Sequence, residues 1–107
     1  MLISGDATLL RIFLSNDDTD ETRPLYEAIL AAARDAHLAG AIVWRGIAGY
    51  GRSMHIHEVL HGFSYDLPVV VEIIDSDEKI NAWLPTLEGP LGGGLVTVEK
   101  VHTLHKA

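Results

Sequence analysis

Two glycine-rich segments carry the residue types best suited to binding a small ligand. The first covers residues 46–52 (GIAGYGR), and the second covers residues 89–94 (GPLGGG). Glycine lets a backbone N–H group turn toward a ligand and approach an anion closely. Neither segment is a Rossmann fingerprint or a P-loop, because no Gly-Lys-Ser or Gly-Lys-Thr follows and the predicted topology is wrong for both. The segments predict a binding site; a β-bulge for the first and a flexible turn for the second are the structural alternatives.

Histidines follow the first glycine segment at short spacing. His55 and His57 are two residues apart, and Glu58 and His61 come next. In an extended loop this spacing places His55 and His57 on one side, where imidazole nitrogens suit zinc or copper. A stable site needs three or four ligands, so copies of the loop from several subunits would have to come together. Solvated loop histidines are the alternative, and we predict no metal ligand from this spacing alone.

Catalytic residues are not recognisable in the chain, and we expect a protein that is not an enzyme. No Ser-His-Asp arrangement stands out by spacing, and the absence of cysteine removes thiolate chemistry. Glu72 is a carboxylate within an apolar run. We expect it to form a structural pair with Lys100 or Arg45, or to lie in an oligomer interface.

Composition limits the class of partner. The chain has 107 residues, 48% of them hydrophobic and 21% charged, which predicts a single domain over residues 1–107. Its net charge of −7 argues against nucleic-acid binding, because phosphate neutralisation needs clustered lysine and arginine. No apolar segment approaches membrane-spanning length, and no signal peptide is visible. We therefore expect a soluble, cytoplasmic protein without direct membrane insertion.

The elements that must position the glycine segments alternate between strands and helices. Helices are predicted from Thr22 to Leu38 and from Asp75 onward, the second opened by a capping box of Asp75 and Glu78. Strands are predicted at 9–14, 41–50, 67–74 and 95–102, followed by a loose tail at 103–107. The order β-α-β-β-α-β predicts the ferredoxin-like α+β fold, in which two helices cover one face of a four-stranded antiparallel sheet.

The second face of this sheet has no helix to cover it. Leu9 and Phe13, with some of Val69, Val71 and Ile73, would then remain exposed in a monomer. An exposed apolar patch of this kind usually marks an interface. We therefore expect a symmetric oligomer.

Four segments spread over the chain follow the pattern of one protein family. They are RGIAGYGRSMHIH, SYDLPVVVEIID, EKINAWLP and GLVTVEKV, and they occur in the family's order. The first glycine segment, which leads into a long loop, and GPLGGGLVTV before the last strand look like the PII signalling proteins. Taken together, the four segments resemble more closely an uncharacterised PII-like family, known only as a domain of unknown function.

The resemblance implies a homotrimer that binds an adenine nucleotide or a similar small effector in the clefts between subunits. The first glycine segment would form one end of each cleft, and the loop 89–95 would cradle phosphate. PII proteins place a lysine directly after the last glycine of this cradle, and Leu95 stands there in this chain. A less charged nucleotide or another small effector is therefore expected, with Arg52, Arg45 and Lys100 as basic partners. The candidate ligand-binding residues are Gly46, Gly49, Gly51, Arg52, Gly89, Gly92, Gly93, Gly94 and Leu95.

Two functions remain open on these residues. In the first, a ligand in the cleft orders the loop 51–66, which then controls a partner protein. The resemblance implies that this partner is a membrane transporter or channel. In the second, the same trimer binds metal through His55, His57 and His61.

Overall fold

The computed structural model describes residues 2–50, 57–58, 67–91 and 94–106. Its main elements are β1 (Leu2–Ser15), α1 (Leu25–Asp35), β2 (Gly40–Arg45), β3 (Pro68–Asp75), α2 (Asp77–Trp83), α3 (Glu88–Leu91) and β4 (Leu95–Lys106). A 3₁₀ helix at Leu84–Leu87 joins α2 to α3. Two short ladders pair Thr19–Asp20 with Arg23–Pro24 and Ala48–Gly49 with His57–Glu58.

The four long strands form one sheet in the order β2-β3-β1-β4. Every neighbouring pair is antiparallel, so β1 and β3 are central and β2 and β4 are the edge strands. This order, with the helices between the strands along the chain, is the ferredoxin-like α+β arrangement. The predicted fold class is confirmed.

The core lies between the helices and one face of the sheet. Strand alternation places Leu10 and Ile12 on this face, and both are fully buried. Val69, Val71 and Ile73 pair with the same face of β1 and are buried too. The prediction that some of these three remain exposed is therefore wrong, because the register turns the alternate residues of β3 to the other side.

Helix α1 packs on the sheet through a stripe at helical spacing. Leu25, Ile29 and Ala33 are its buried residues. The helix ends before the predicted Leu38, because His37 adopts a left-handed conformation with φ 59°. The N–H of His37 donates to the Arg34 carbonyl at 2.9 Å, and that of Leu38 donates to the Ala33 carbonyl at 3.1 Å. These two bonds form a Schellman motif.

Helix α2 begins at a different cap from the predicted one. The side chain of Ser76 is the N-cap and accepts a hydrogen bond from the Lys79 N–H at 3.2 Å. Asp75 instead accepts from the backbone N–H of Ala39 at 2.9 Å, and so ties the connection after α1 to the end of β3. Ile80 and Trp83 bury the helix against the core.

Strands β1 and β4 extend beyond the rest of the sheet. The pairing of β1 with β3 begins at Thr8, whereas its pairing with β4 runs from Leu2, opposite Lys106. Residues 2–7 and 101–106 therefore form a two-stranded ribbon, which we call the terminal ribbon. The prediction of a loose tail from Thr103 is wrong, because residues 103–106 continue β4.

Candidate functional site

The two glycine segments lie at the same end of the sheet. Gly46 directly follows Arg45, the last residue of β2, which is opposite Val69 near the start of β3. Leu95 opens β4 and is opposite Phe13, near the end of β1. Neighbouring strands are antiparallel. One end of the sheet, at the tips of the strands, therefore holds the last residues of β1 and β2 and the first residues of β3 and β4.

The two segments nevertheless lie at opposite edges of this end. The first continues from edge strand β2, and the second leads into edge strand β4. Strands β3 and β1 stand between them, so the strand axes are roughly 14 Å apart at a spacing of about 4.8 Å per strand. Within one copy of the chain, the two strands that carry the segments are therefore not neighbours in the sheet.

The first glycine segment packs against a proline. The N–H of Gly46 donates to the Pro68 carbonyl at 2.7 Å. A Cβ atom added at Gly46 would lie 2.7 Å from Pro68 Cγ, and one at Gly49 would lie 3.2 Å from the same atom. A side chain at Gly46 would therefore overlap the proline ring, one at Gly49 would crowd it, and the N–H of Gly46 is already used within the chain.

The base of the same segment is tied to the turn after β1. Arg45 Nη2 donates to Asn16 Oδ1 at 2.8 Å. The backbone N–H of Asn16 donates to the Leu67 carbonyl at 2.8 Å. The two ends of the connection between β2 and β3 are therefore held together at the end of the central strands. Gly51 and Arg52 lie outside the described residues.

The second glycine segment begins as the short helix α3 rather than as a loop. Gly94 follows it, and its N–H donates to the Leu91 carbonyl at 3.0 Å. A Cβ atom at Gly94 would lie 3.2 Å from that carbonyl oxygen, whereas one at Gly89 would meet nothing within 4 Å. Gly92 and Gly93 lie outside the described residues. Leu95 is 61% exposed, so its side chain is available at this edge.

Exposed apolar side chains accompany the first segment. Ile47 is 81% exposed and Tyr50 is 64% exposed. An uncharged planar group such as a nucleobase can pack on side chains of this type. The end of the sheet thus offers an apolar surface together with the backbone of glycine-rich turns.

Basic side chains are unevenly placed around this end. Arg45 lies at it, with its guanidinium on Asn16. Lys100 is opposite Thr8, five residues along β4 from Leu95, or about 17 Å at strand rise. Within one chain Lys100 therefore lies far from this end. A role for Lys100 in phosphate binding stays a prediction, as do the roles of Arg45 and Arg52.

The loop histidines lie mostly beyond the described ranges. His55 and His61 fall outside them, and the backbone of His57 pairs with Gly49. In the part of the chain that the structure describes, no three histidine, cysteine, aspartate or glutamate side chains come together as a metal site. Nor does any helix in those ranges have the length and hydrophobicity needed to cross a bilayer.

A row of polar side chains crosses the sheet face that no helix covers, which we call the open face. Arg11 lies at its centre, with Nε 2.8 Å from Glu72 Oε2 and Nη1 2.5 Å from Glu99 Oε1. Trp44 Nε1 donates to the other carboxylate oxygen of Glu72. The row Glu99-Arg11-Glu72-Trp44, which we call the polar row, therefore spans all four strands. The expected pairing of Glu72 with Lys100 or Arg45 is wrong.

Apolar side chains surround the polar row. Phe13 is 39% exposed, Ile42 54% and Trp44 56%. The two carboxylates and the indole N–H find their partners inside the row, so this face presents few unsatisfied polar groups. The sequence contained a signal for the polar row, because the alternation of the predicted strand 9–14 places Arg11 on the same face as Leu9 and Phe13.

Comparisons with known proteins agree with this architecture. The model of the family DUF190, described as "Uncharacterized ACR", matches residues 7–103. A UPF0166 protein of Aquifex aeolicus (strain VF5) is 44% identical over 98 residues, which cover 91% of this chain and 92% of that protein. A UPF0166 protein of Methanocaldococcus jannaschii is 33% identical over 97 residues, which cover 90% of each.

A solved structure supplies the fold relationship. CPII from Thiomonas intermedia K12, a nitrogen regulatory PII-like protein bound to ADP, AMP and bicarbonate, is similar with a TM-score of 0.71. The similarity covers 94% of this chain and 91% of CPII at 15% identity, and so it shows the fold. The resemblance to an uncharacterised PII-like family is confirmed: the chain belongs to the DUF190 family, and its fold is PII-like.

Proposed function

We propose that this protein is a PII-like regulator that binds an adenine nucleotide, or a similar small effector, in clefts between its copies. One observation carries the proposal: the two glycine segments share one end of the sheet but leave from its opposite edges. An edge of one copy set beside the opposite edge of the next would bring a first segment and a second segment together. A closed ring of copies would repeat this cleft at every junction.

The open face supports an assembly of this kind. It exposes Phe13, Ile42 and Trp44, and a large apolar surface of this type usually becomes covered by a partner. Within the polar row, Arg11 bridges both carboxylates of one copy, which leaves the row with one negative charge in excess. We propose a homotrimer, the assembly that the resemblance to PII proteins implies.

The ligand class follows from the groups available at the cleft. Ile47 and Tyr50 are exposed beside the first segment and suit an adenine base. Phosphate would bind to Arg52 and to the backbone near Gly92 and Gly93, since the N–H groups of Gly46 and Gly94 are used within the chain. Few basic residues are available, which favours AMP or ADP over ATP. The binding of ADP and AMP by CPII supports this choice.

The regulatory step in the proposal involves residues 51–66. This segment contains Gly51 and Arg52 of the first glycine segment and precedes β3 along the chain. A ligand bound at Arg52 would select one arrangement of the segment, and a partner protein would recognise that arrangement. The partner class in the proposal is a membrane transporter or channel. No catalytic step is part of it.

Thermal-shift measurements with AMP, ADP, ATP and cyclic AMP test the proposal. Nucleotide that binds only the folded protein should raise the melting temperature as its concentration rises. Arg52→Ala should abolish the shift while sedimentation shows an unchanged oligomer. Arg34→Ala is the matched control, because Arg34 is 79% exposed at the far end of α1 and pairs only weakly with Asp35. A monomer in sedimentation, or a shift with zinc and none with any nucleotide, would contradict the proposal.

A further inference from the structure

Pro68 makes two kinds of contact with the first glycine segment. Its carbonyl oxygen accepts the N–H of Gly46 at 2.7 Å. Its ring lies where a side chain at Gly46 or Gly49 would extend, since added Cβ atoms would approach Cγ to 2.7 and 3.2 Å. We call Gly46, Gly49 and Pro68 the proline clamp. The clamp joins the chain as it leaves β2 to the chain as it enters β3.

The ring of Pro68 is the main obstacle to a side chain at position 46. The backbone of Gly46 lies outside the left-handed region, so alanine could adopt its conformation. The other atoms near an added Cβ are the Pro68 carbonyl oxygen at 3.4 Å and the Pro68 Cβ at 3.6 Å, which are close to ordinary contacts. The packing of Pro68 is therefore sufficient to explain why position 46 is glycine.

Pro68 is well suited to act as a fixed support. Its φ angle is restricted by the ring, and it carries no N–H that would need a partner. It begins β3 opposite Ser15 of central strand β1. The preceding carbonyl, that of Leu67, accepts the Asn16 N–H at 2.8 Å. The proline is thus held by the central strands, whereas the glycine segment continues from edge strand β2 and pairs through Ala48–Gly49 with His57–Glu58.

We infer that Pro68 is a positioning residue for the ligand cleft. The ring and the carbonyl of Pro68 hold residues 46–49 at a set distance from the central strands, and the backbone that follows is thereby placed for the ligand. Gly46 contributes by fitting the proline and does not contact the ligand. This inference rests on the proposed function for its ligand, but the clamp itself can be tested without one.

A double-mutant cycle tests the clamp in the ligand-free protein. Gly46→Ala should lower the melting temperature by about 5 °C, because the added methyl overlaps the ring. In a Pro68→Ala background the same change should have little effect, since the obstacle is gone. Gly40→Ala is the control at the first residue of β2, the strand that precedes Gly46, and there the nearest atom to an added Cβ is Ile74 Cγ2 at 3.9 Å. Equal losses from Gly46→Ala in both backgrounds would overturn the clamp.

The same variants, titrated with ADP well below their melting temperatures, test the positioning role. Gly46→Ala should weaken ADP binding about tenfold and Pro68→Ala about threefold, because a displaced support misplaces the site. The double variant should bind like Pro68→Ala alone. Additive losses would show that Gly46 contacts the ligand, and unchanged affinity in Pro68→Ala would show a purely structural proline; either result overturns the inference. If wild-type protein binds no nucleotide, the proposed function fails while the stability cycle still decides the clamp.

Discussion

Arg11 Nε lies 2.8 Å from Glu72 Oε2, and the two residues are directly opposite each other on the central strands β1 and β3. The same guanidinium reaches Glu99 on β4. The hydrogen bonds with Glu72 and then Glu99 raise the pKa of Arg11 above its ordinary value. One cation thus links three of the four strands across a face that is otherwise largely apolar.

The raised pKa of Arg11 sets a pH window for its contribution to stability. The folded pKa lies above the unfolded one, so the contribution is complete below the ordinary arginine range and is lost only as pH rises through the raised value. Arg11→Lys should move this loss down to the lysine range, near pH 10.4. The difference in melting temperature between wild type and Arg11→Lys should therefore grow above about pH 10. Arg34→Lys is the exposed control, and a difference that stays constant from pH 7 to pH 11 would contradict the prediction.

The two carboxylates of the polar row should contribute unequally. Glu72 has a side chain 24% exposed, against 52% for Glu99, and it also accepts from Trp44. Glu72→Gln should therefore lower the melting temperature more than Glu99→Gln, because its charge-assisted hydrogen bonds are better shielded from water. Parallel thermal melts of the two variants at pH 7 measure this order. The reverse order would show that the pair with Glu99 is the stronger one.

His37 offers a site for stabilisation. It adopts φ 59° at the end of α1, where a side chain is disfavoured and glycine is preferred. His37→Gly should increase the free energy of unfolding by about 0.5–1 kcal/mol. Ala36→Gly is the matched control, because Ala36 has φ −83° and gains nothing from glycine. Urea denaturation of both variants decides the point, and a loss of stability in His37→Gly would count against the left-handed conformation.

Asp75 holds two distant parts of the chain together. Its Oδ2 accepts the Ala39 N–H at 2.9 Å, its Oδ1 accepts the Ser76 N–H at 2.6 Å, and its side chain is only 12% exposed. Asp75→Ala should cost about 1–3 kcal/mol, because both N–H groups lose their partner. Asp35→Ala, at a side chain 72% exposed, should change stability by less than about 0.5 kcal/mol. Equal effects in urea denaturation would argue against the link to Ala39.

The resemblance to PII proteins implies that Leu95 takes the place of a lysine, and the Leu95 side chain is 61% exposed. Leu95→Lys should therefore be tolerated by the fold and should tighten ADP binding about three- to fivefold at low salt. The gain should be greater for ATP than for AMP and should shrink as salt is raised. Val98→Lys adds the same charge about 10 Å further along β4 and is the control for general electrostatics. Isothermal titration with the three nucleotides measures the effect, and equal gains in both variants would contradict it.

The sequence was sufficient to predict the order of the main elements and the face of β1 that no helix covers. Alternation placed Leu9 and Phe13 on that face, and Phe13 is 39% exposed there. Register was not predictable, because a one-residue shift exchanges the two faces of a strand. The unknown register explains two wrong predictions: the exposure of Val71 and the ion-pair partner of Glu72. The pairing of Asp75 with Ala39, 36 residues apart, depends on the same long-range geometry.

The site was predicted less completely than the fold. Glycine content alone could not separate positions required by packing from positions that face a ligand. Packing requires glycine at position 46, because Pro68 lies against it. Pro68 is 22 positions away in the sequence, so this contact is visible only in the folded chain. The two glycine segments leave from opposite edges because of the strand order in the sheet. The resemblance implied this order, whereas the local sequence of each segment does not contain it.

The terminal ribbon determines the position of any tag or label that is fused to either end of this chain. Leu2 is opposite Lys106, so an added peptide at either terminus would emerge beside the other, at the tip of the ribbon. The glycine segments lie at the other end of β1, roughly 45 Å away at strand rise. Fluorophores or affinity tags on either terminus can therefore be placed far from the glycine segments of the same chain. A short linker between Lys106 and Leu2 would also permit circular permutation of the chain.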